Sequence, residues 1–392
     1  MMKRLGDYIR PVDVRNRDLK VTRLLGVSIT KEFMPSIANI VGTDLSAYKV
    51  VTKGQFAYGP VTSRNGDKIS VALLDGYDDA IISQAYTVFE VVDTNALDPE
   101  YLMMWFRRPE FDRYARFHSH GSAREVFDWE EMCEVQLPVP AIEKQREIVA
   151  EYNTLATRIE TNKKLIATLE QTAQTLYRHT FVDNIDPNNL PEGWRMGTLG
   201  DVCSKLGSGA TPKGGKESYC QEGISLIRST NVLDYQFLYE DLAKINEAQA
   251  KALDGVTVES KDVLFNITGV SVARCCMVPD DVLPARVNQH IMIVRPSQKS
   301  MAFYLLCTLC YPDVKNTLLG ISQAGSTREA ITKDEMERFK IIVPAQEILQ
   351  KFDNECSKIF ERKNLATKEN QTLTQMQTLL LSKMGDKIKE EL

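Results

Sequence analysis

Cys307 and Cys310, two thiols three positions apart, have the spacing of half a tetrahedral zinc site. No second Cys-x-x-Cys completes it, and the four histidines contain no His-x-x-x-His. Both cysteines lie inside the apolar run MAFYLLCTLCY (Met301–Tyr311), so a core-facing pair is expected and no metal site. GSGATPKGGKE (Gly207–Glu217) offers the glycines and lysines of a phosphate cradle, but Gly215 follows Gly214 where a P-loop requires lysine. It reads as a flexible basic loop. Glu259-Ser260-Lys261 has the ending of a metal-dependent nuclease motif without the Pro-Asp context upstream, since Pro279-Asp280 comes too late. It reads as a strand edge at the surface. G-x-G-x-x-G, G-x-S-x-G, H-E-x-x-H and Asn-Pro-Pro-aromatic are all missing. No catalytic residue is expected, and a chain of 392 residues without such chemistry is expected to bind and position something.

Charge narrows what that something is. The net charge of −5 argues against a simple nucleic-acid binder. Locally the balance reverses. Met1–Lys31 carries eight bases against three acids, and Met104–Arg124 carries five against two, with His118 and His120 beside them. Screening confines such fields to about 8–10 Å, so basic patches on an acidic body can still attract phosphate. No apolar run approaches the roughly 20 residues that span a bilayer, and no apolar segment follows the basic N-terminus, so a cytoplasmic location is expected. The eight cysteines are accordingly read as thiols.

The elements that would position a binding surface are written twice. GSAREVF begins at Gly121 and GSTREAI at Gly325. At the same offset Glu131-Met132 matches Glu335-Met336, and Val139-Pro140-Ala141 matches Val343-Pro344-Ala345. LGD recurs at Leu5 and Leu199, KGQFAY at Lys53 aligns with KDVLFN at Lys261, and SQAYTVF at Ser83 aligns with NQHIMIV at Asn288. The offset changes along the chain, which implies one scaffold carrying loops of different length. A period near 200 residues indicates a duplicated domain. After each Val-Pro-Ala comes a long helical pattern. Ile148, Tyr152, Leu155, Ile159, Asn162, Ile166, Leu169, Ala173 and Leu176 alternate at spacings of four and three, as an a/d seam does. The second seam runs through Phe352, Cys356, Ile359, Lys363, Ala366, Asn370, Leu373, Gln377 and Leu380, with three polar interruptions. Each stripe must be buried, and its duplicate is the nearest match.

KISVALL (Lys68–Leu74), YTVFEVV (Tyr86–Val92) and HIMIVRP (His290–Pro296) read as strands. PEYLMMWFRRPEF and MAFYLLCTLCYPDV read as short helices. The predicted fold class is α+β: two tandem mixed modules, 1–140 and 194–343, each followed by a long helix, 141–182 and 344–392. The segment 183–193 links the halves, and the two helices are expected to pack as an antiparallel coiled coil.

LPEGWRMGTLGDV (Leu190–Val202), DVLFNITG (Asp262–Gly269), GSTREAITKDEM (Gly325–Met336) and IIVPAQEILQKF (Ile341–Phe352) resemble the specificity subunit of type I restriction-modification systems. The likeness covers nearly the whole chain, and the second half is the closer match. The first half begins at LGDYIRP without the Pro-x-Gly-Trp opening. The resemblance implies two target-recognition domains that read a bipartite, non-palindromic DNA site, with the helices as a ruler. It also implies two methylase subunits carrying S-adenosylmethionine, and restriction subunits working with ATP and magnesium. A solitary adenine methyltransferase complex without a nuclease, a stand-alone cryptic DNA-modifying enzyme and a coiled-coil scaffold without a DNA role are the other readings. Arg suits guanine, and Asn or Gln suits adenine, in the major groove. On that basis the expected DNA-binding residues are Arg64, Asn65, Lys68 and Gln84 in the first domain. In the second they are Lys213, Lys216, Asn266, Thr268, Arg274, Asn288, Gln289 and His290. Arg124 and Arg328 match across the halves, which suits phosphate contact better than base readout.

Overall fold

The computed structural model describes residues 2–36, 42–63, 65–121, 124–183, 185–324 and 330–386. They form two compact units, Met1–Thr161 with Lys368–Leu392, and Asn162–Thr367. No helix among the described residues is long and apolar enough to cross a membrane.

In the first unit, Ile9–Val12, Thr87–Val91, Phe56–Tyr58 and Val71–Leu73 form an antiparallel sheet in that order. Alternation sends Phe56, Tyr58 and Phe89 to one face, where they share a core with Tyr101, Phe106 and Met132 from the helices. Ala57, Ala72 and Val88 face the other way, onto Val51, Ala80 and Ile82 of the paired strands Lys49–Thr52 and Asp79–Ile82. The run read as one helical region is two helices, Pro99–Arg107 and Pro109–Phe117. Arg108 between them is extended (φ −70°, ψ 137°), because the residue before a proline is driven out of the helical region.

The second unit repeats this plan. Cys203–Ser208, Ile291–Pro296, Val263–Asn266 and Cys275–Met277 form a sheet of the same order, again all antiparallel. Helices Ala302–Cys310 and Pro312–Ala324 break at Tyr311, extended before Pro312. The second unit adds a mixed sheet in the order Ala243–Ile245, Ile224–Ile227, Ala285–Val287 and Thr257–Val258, whose two central strands are parallel.

One alignment is off by a residue. Matching KGQFAY to KDVLFN pairs Phe56 with Leu264. Yet Leu264 lies on the face away from the helices, in the core of Ile227 and Val287, whereas Val263 and Phe265 join the helical core as Phe56 and Tyr58 do. The structural offset on this strand is one less, because a one-residue slip exchanges the faces of a strand.

Each module is closed by pairing its beginning with its end. Met2–Arg4 lies antiparallel to Gln136–Pro138, and Arg195–Thr198 to Lys340–Val343. Just inside this closure the two LGD repeats make equivalent bonds. Leu5 N–H donates to Val135 O (2.8 Å) and Leu199 N–H to Phe339 O (3.0 Å).

The long helices are Ile142–Phe181 and Gln346–Asp386, of 40 and 41 residues. Ile148, Tyr152, Leu155, Ile159, Ile166, Leu169, Leu176, Ile359, Leu373 and Leu380 are half-buried, and Phe352 is buried. Toward the C-terminal end of the first helix Ala173 of the seam is fully buried, and beyond it the buried positions are Tyr177 and Phe181, one step off the heptad. A straight helix drifts about 20° per heptad from a strict repeat, and here the drift turns larger rings onto the globular core. The polar interruption Lys363 is buried beside Glu170 (2.7 Å) and the Tyr235 carbonyl.

Candidate nucleic-acid interface

In an antiparallel sheet, alternate strand ends meet at one edge, so the loops there form one surface. In the second unit that edge gathers the loop after Ser208, the turn Asn288–His290 before Ile291, and the turn between Asn266 and Cys275. In the first unit the corresponding edge gathers the turn before Thr87 and the loop between Tyr58 and Val71.

The second-unit edge is tightly built. A Cβ on Gly209 would come within 2.1 Å of Val287 O and 2.2 Å of Asn288 O, so glycine is required where this loop crosses the turn. Gly209 N–H and Ala210 N–H donate to Ile291 O (2.9 Å) and Val287 O (3.2 Å). Four side chains then form a chain. The Thr211 hydroxyl donates to Gln289 Oε1, and Gln289 Nε2 donates to His290 Nε2 at 2.9 Å. With Nε2 accepting, the ring proton belongs on Nδ1, which donates to Thr268 Oγ1 at 2.6 Å. With this tautomer the Thr268 hydroxyl accepts from the ring and keeps its own proton to donate. Thr211 was missed in the sequence because its partner Gln289 is 78 residues away.

The other expected residues divide. Asn288 is half-buried and caps its own turn, its Oδ1 accepting from His290 N–H at 3.2 Å. Arg274 is half-buried and Lys213 exposed at the same edge. Asn266 is a correction: it is fully buried, and its amide donates to Ser229 O (3.0 Å) and Val232 O (3.4 Å), so it holds the strand end and faces no solvent. In the first unit Gln84 and Lys68 are exposed, and Asn65 is half-buried in a turn, its Nδ2 donating to Val61 O at 3.3 Å. Arg124 is exposed. Arg64, Arg328 and the side chain of Lys216 lie outside the described residues, as do Ser122, Ala123 and Gly325–Glu329 of the repeated phrases.

The residues at the end of each repeated phrase are described in both halves, and they make the same bond. Phe127 N–H donates to Pro60 O, and Ile331 N–H to Ile267 O, both at 2.9 Å. Val126 bridges Val61, and Ala330 bridges Thr268. The phrase thus ties down the loop that leaves the sheet's second inner strand.

The basic stretches are largely neutralised where they stand. Arg4 pairs with Glu134, Arg10 with Glu90, Arg15 with Asp13 and Lys20 with Asp18. Lys31 is buried against Asp112 at 2.6 Å, and its burial pulls the ammonium below its ordinary pKa. Asp112 also accepts from Ile69 N–H (3.2 Å), fixing the base of the Val61–Lys68 loop. In the second stretch Arg113 pairs with Glu110, and Arg116 with Glu125.

The chemical motifs resolve as structural parts. Lys261 Nζ reaches Asp353 of the second long helix at 2.9 Å, and Glu259 pairs with Arg295. Cys307 is buried in the helical core. Cys310 instead meets Cys275, sulfur to sulfur at 3.2 Å, with an Asp234 oxygen in the same 4.8 Å group, the one set of side chains among the described residues that could hold a metal ion.

Two modules of one plan, each presenting anchored loops at one sheet edge and each running into a long helix, make this a duplicated chain with two equivalent loop surfaces. The family described as type I restriction modification DNA specificity domain matches residues 49–171 and 191–375. The chain is 20% identical to the type I restriction enzyme HindI specificity subunit of Haemophilus influenzae, over 89% of each chain. It is 25% identical to the MjaIX specificity subunit of Methanocaldococcus jannaschii, over 75% of this chain and 70% of that one. The crystal structure of a type I restriction-modification S subunit from M. genitalium has the same fold, with a TM-score of 0.61 over 98% of this chain and 95% of that one, at 14% identity. This chain belongs to the type I restriction-modification DNA specificity family.

Proposed function

We propose that the chain reads a bipartite, non-palindromic DNA target, one half-site per module, and positions two methylase subunits on it. Restriction subunits complete the assembly when present. S-adenosylmethionine, ATP and magnesium belong to those partners, and no catalytic residue is assigned to this chain. The observation that carries this reading is the shared anchoring of unlike loops. Phe127 to Pro60 and Ile331 to Ile267 hold equivalent backbone in place, while the residues beyond it differ between the halves. A scaffold that fixes the pose and varies the contacts suits two recognition events of different sequence.

In this reading the modules 1–140 and 194–343 hang on an antiparallel coil of the helices. Support comes from inside each unit. In the first, Arg158 Nε bonds Glu369 Oε1 at 2.8 Å, and Ile148 and Tyr152 share a core with Leu380 and Leu381. In the second, Lys363 meets Glu170, and Tyr177 and Phe181 share a core with Phe352 and Phe360. Partner numbers fall along one helix as they rise along the other.

The test is the methylome of the host with and without this gene. A bipartite motif that vanishes with the gene is the expected result, and an unchanged methylome refutes the reading. Replacing Asn288 and Gln289 together with Ala is expected to relax or abolish only one half of the motif.

A further inference from the structure

Val270 is 97% exposed, the most open of the large apolar side chains among the described residues. It is held out by the backbone rather than left loose. On either side, Ile267 and Val272 are buried in the helical core. Between them Gly269 (φ +73°) opens a tight turn, closed by Val272 N–H to Gly269 O at 2.9 Å and Arg274 N–H to Ser271 O at 3.2 Å. Ala273 takes a left-handed conformation (φ +64°), one L-residues rarely adopt, and it is locked by its N–H to Asn266 O at 2.9 Å. Beside the turn stands the Thr211–Gln289–His290–Thr268 chain. A polar surface with donors and acceptors thus carries one rigid apolar head.

Resting on the DNA-reading assignment above, we infer that Val270 determines specificity in the second half-site by packing on the C5-methyl group of a thymine in the major groove. Among base edges there, that methyl is the one apolar group, so it is the complement an isolated valine can recognise. The neighbouring Thr268 hydroxyl and Gln289 amide reach polar positions on the same or the adjacent pair.

The experiment uses the complex purified from its host through a tag on this chain. Methylation rates are measured on duplexes in which each thymine of the second half-site, on either strand, is replaced singly by deoxyuridine. That change removes the methyl and keeps every Watson–Crick contact. One such position is expected to lower the specificity constant about fourfold, the worth of one buried methyl at about 0.8 kcal/mol. In the Val270→Ala complex the same replacement is expected to change the rate by less than about twofold, as coupling between two contacting groups requires. Val270→Ser, which keeps no methyl, is expected to lose the sensitivity as well. Matched melting midpoints establish that both variants are folded. A bipartite site with no uracil-sensitive thymine in the second half-site overturns the role of Val270 alone, as does a sensitivity that Val270→Ala leaves intact. A wild-type complex that methylates no bipartite site overturns the reading beneath it.

Discussion

At the scale of residues, side-chain type was a poor guide to exposure. Asn266 and Gln289 carry the same functional group, yet one is sealed under Ser229 and Val232 while the other lies in the open. Nothing local in DVLFNITG separates these cases, because burial is decided by a carbonyl 37 positions away. Thr211 was invisible for the same reason. Charges misled similarly, since Lys31 was counted as part of a basic surface and is instead a buried ion pair. Removing one member of such a pair leaves an uncompensated charge. Lys31→Met is therefore expected to lower the unfolding free energy by about 3 kcal/mol, read by urea denaturation of the full chain, through the stranded Asp112 carboxylate. Since Asp112 also holds Ile69 N–H, loosened exchange protection at Ile69 should accompany it.

Elements were far more legible. Strand runs rich in Val, Ile and Phe and the long heptad patterns are local properties, and each appears where the residues place it, whereas the helix breaks before Pro109 and Pro312 were read through although the prolines that cause them are just as local. What escaped was register: the match of KGQFAY to KDVLFN rested on a shared lysine and on aromatic content, and neither states which face a residue occupies. The repeated phrases were legible as repeats, and their anchoring role needed the structure. Gly121 shows why the first of them needs glycine. Its φ is +132°, and an added Cβ would lie 2.2 Å from Arg124 O. Gly121→Ala is expected to cost about 2 kcal/mol in strain and to free the loop that Phe127 pins. Proteolysis near Pro60–Lys68, mapped by mass spectrometry, checks it, and a loop no more cleavable than wild type counts against the anchoring role.

At the scale of the molecule, the long helices can be separated from the loops by lengthening them. One heptad inserted in both, after Leu169 and Leu373, keeps each seam in phase and adds about 10 Å, roughly three base pairs of duplex. The expected outcome is a longer spacer with both half-sites unchanged, or loss of modification where the added twist cannot be met. The methylated motif of cells carrying the variant is the readout. A change of bases within a half-site refutes the ruler role.

The composition of the first unit sets an order of events during synthesis. Its core includes Leu5, Phe56 and Phe106, translated before the second unit, together with Met384 and the Leu380 and Leu381 packed against it, translated after that unit. The second unit, Asn162–Thr367, is complete once its own stretch has left the ribosome. The module made first must therefore wait for the last helical turns before its apolar floor is covered, exposed to chaperones and proteases in the interval. A stop codon after Met376 is expected to leave the second unit folded and the first one fragile. Limited proteolysis would show residues 1–161 degraded ahead of 162–367, so that damage downstream of the second unit falls on the module translated before it.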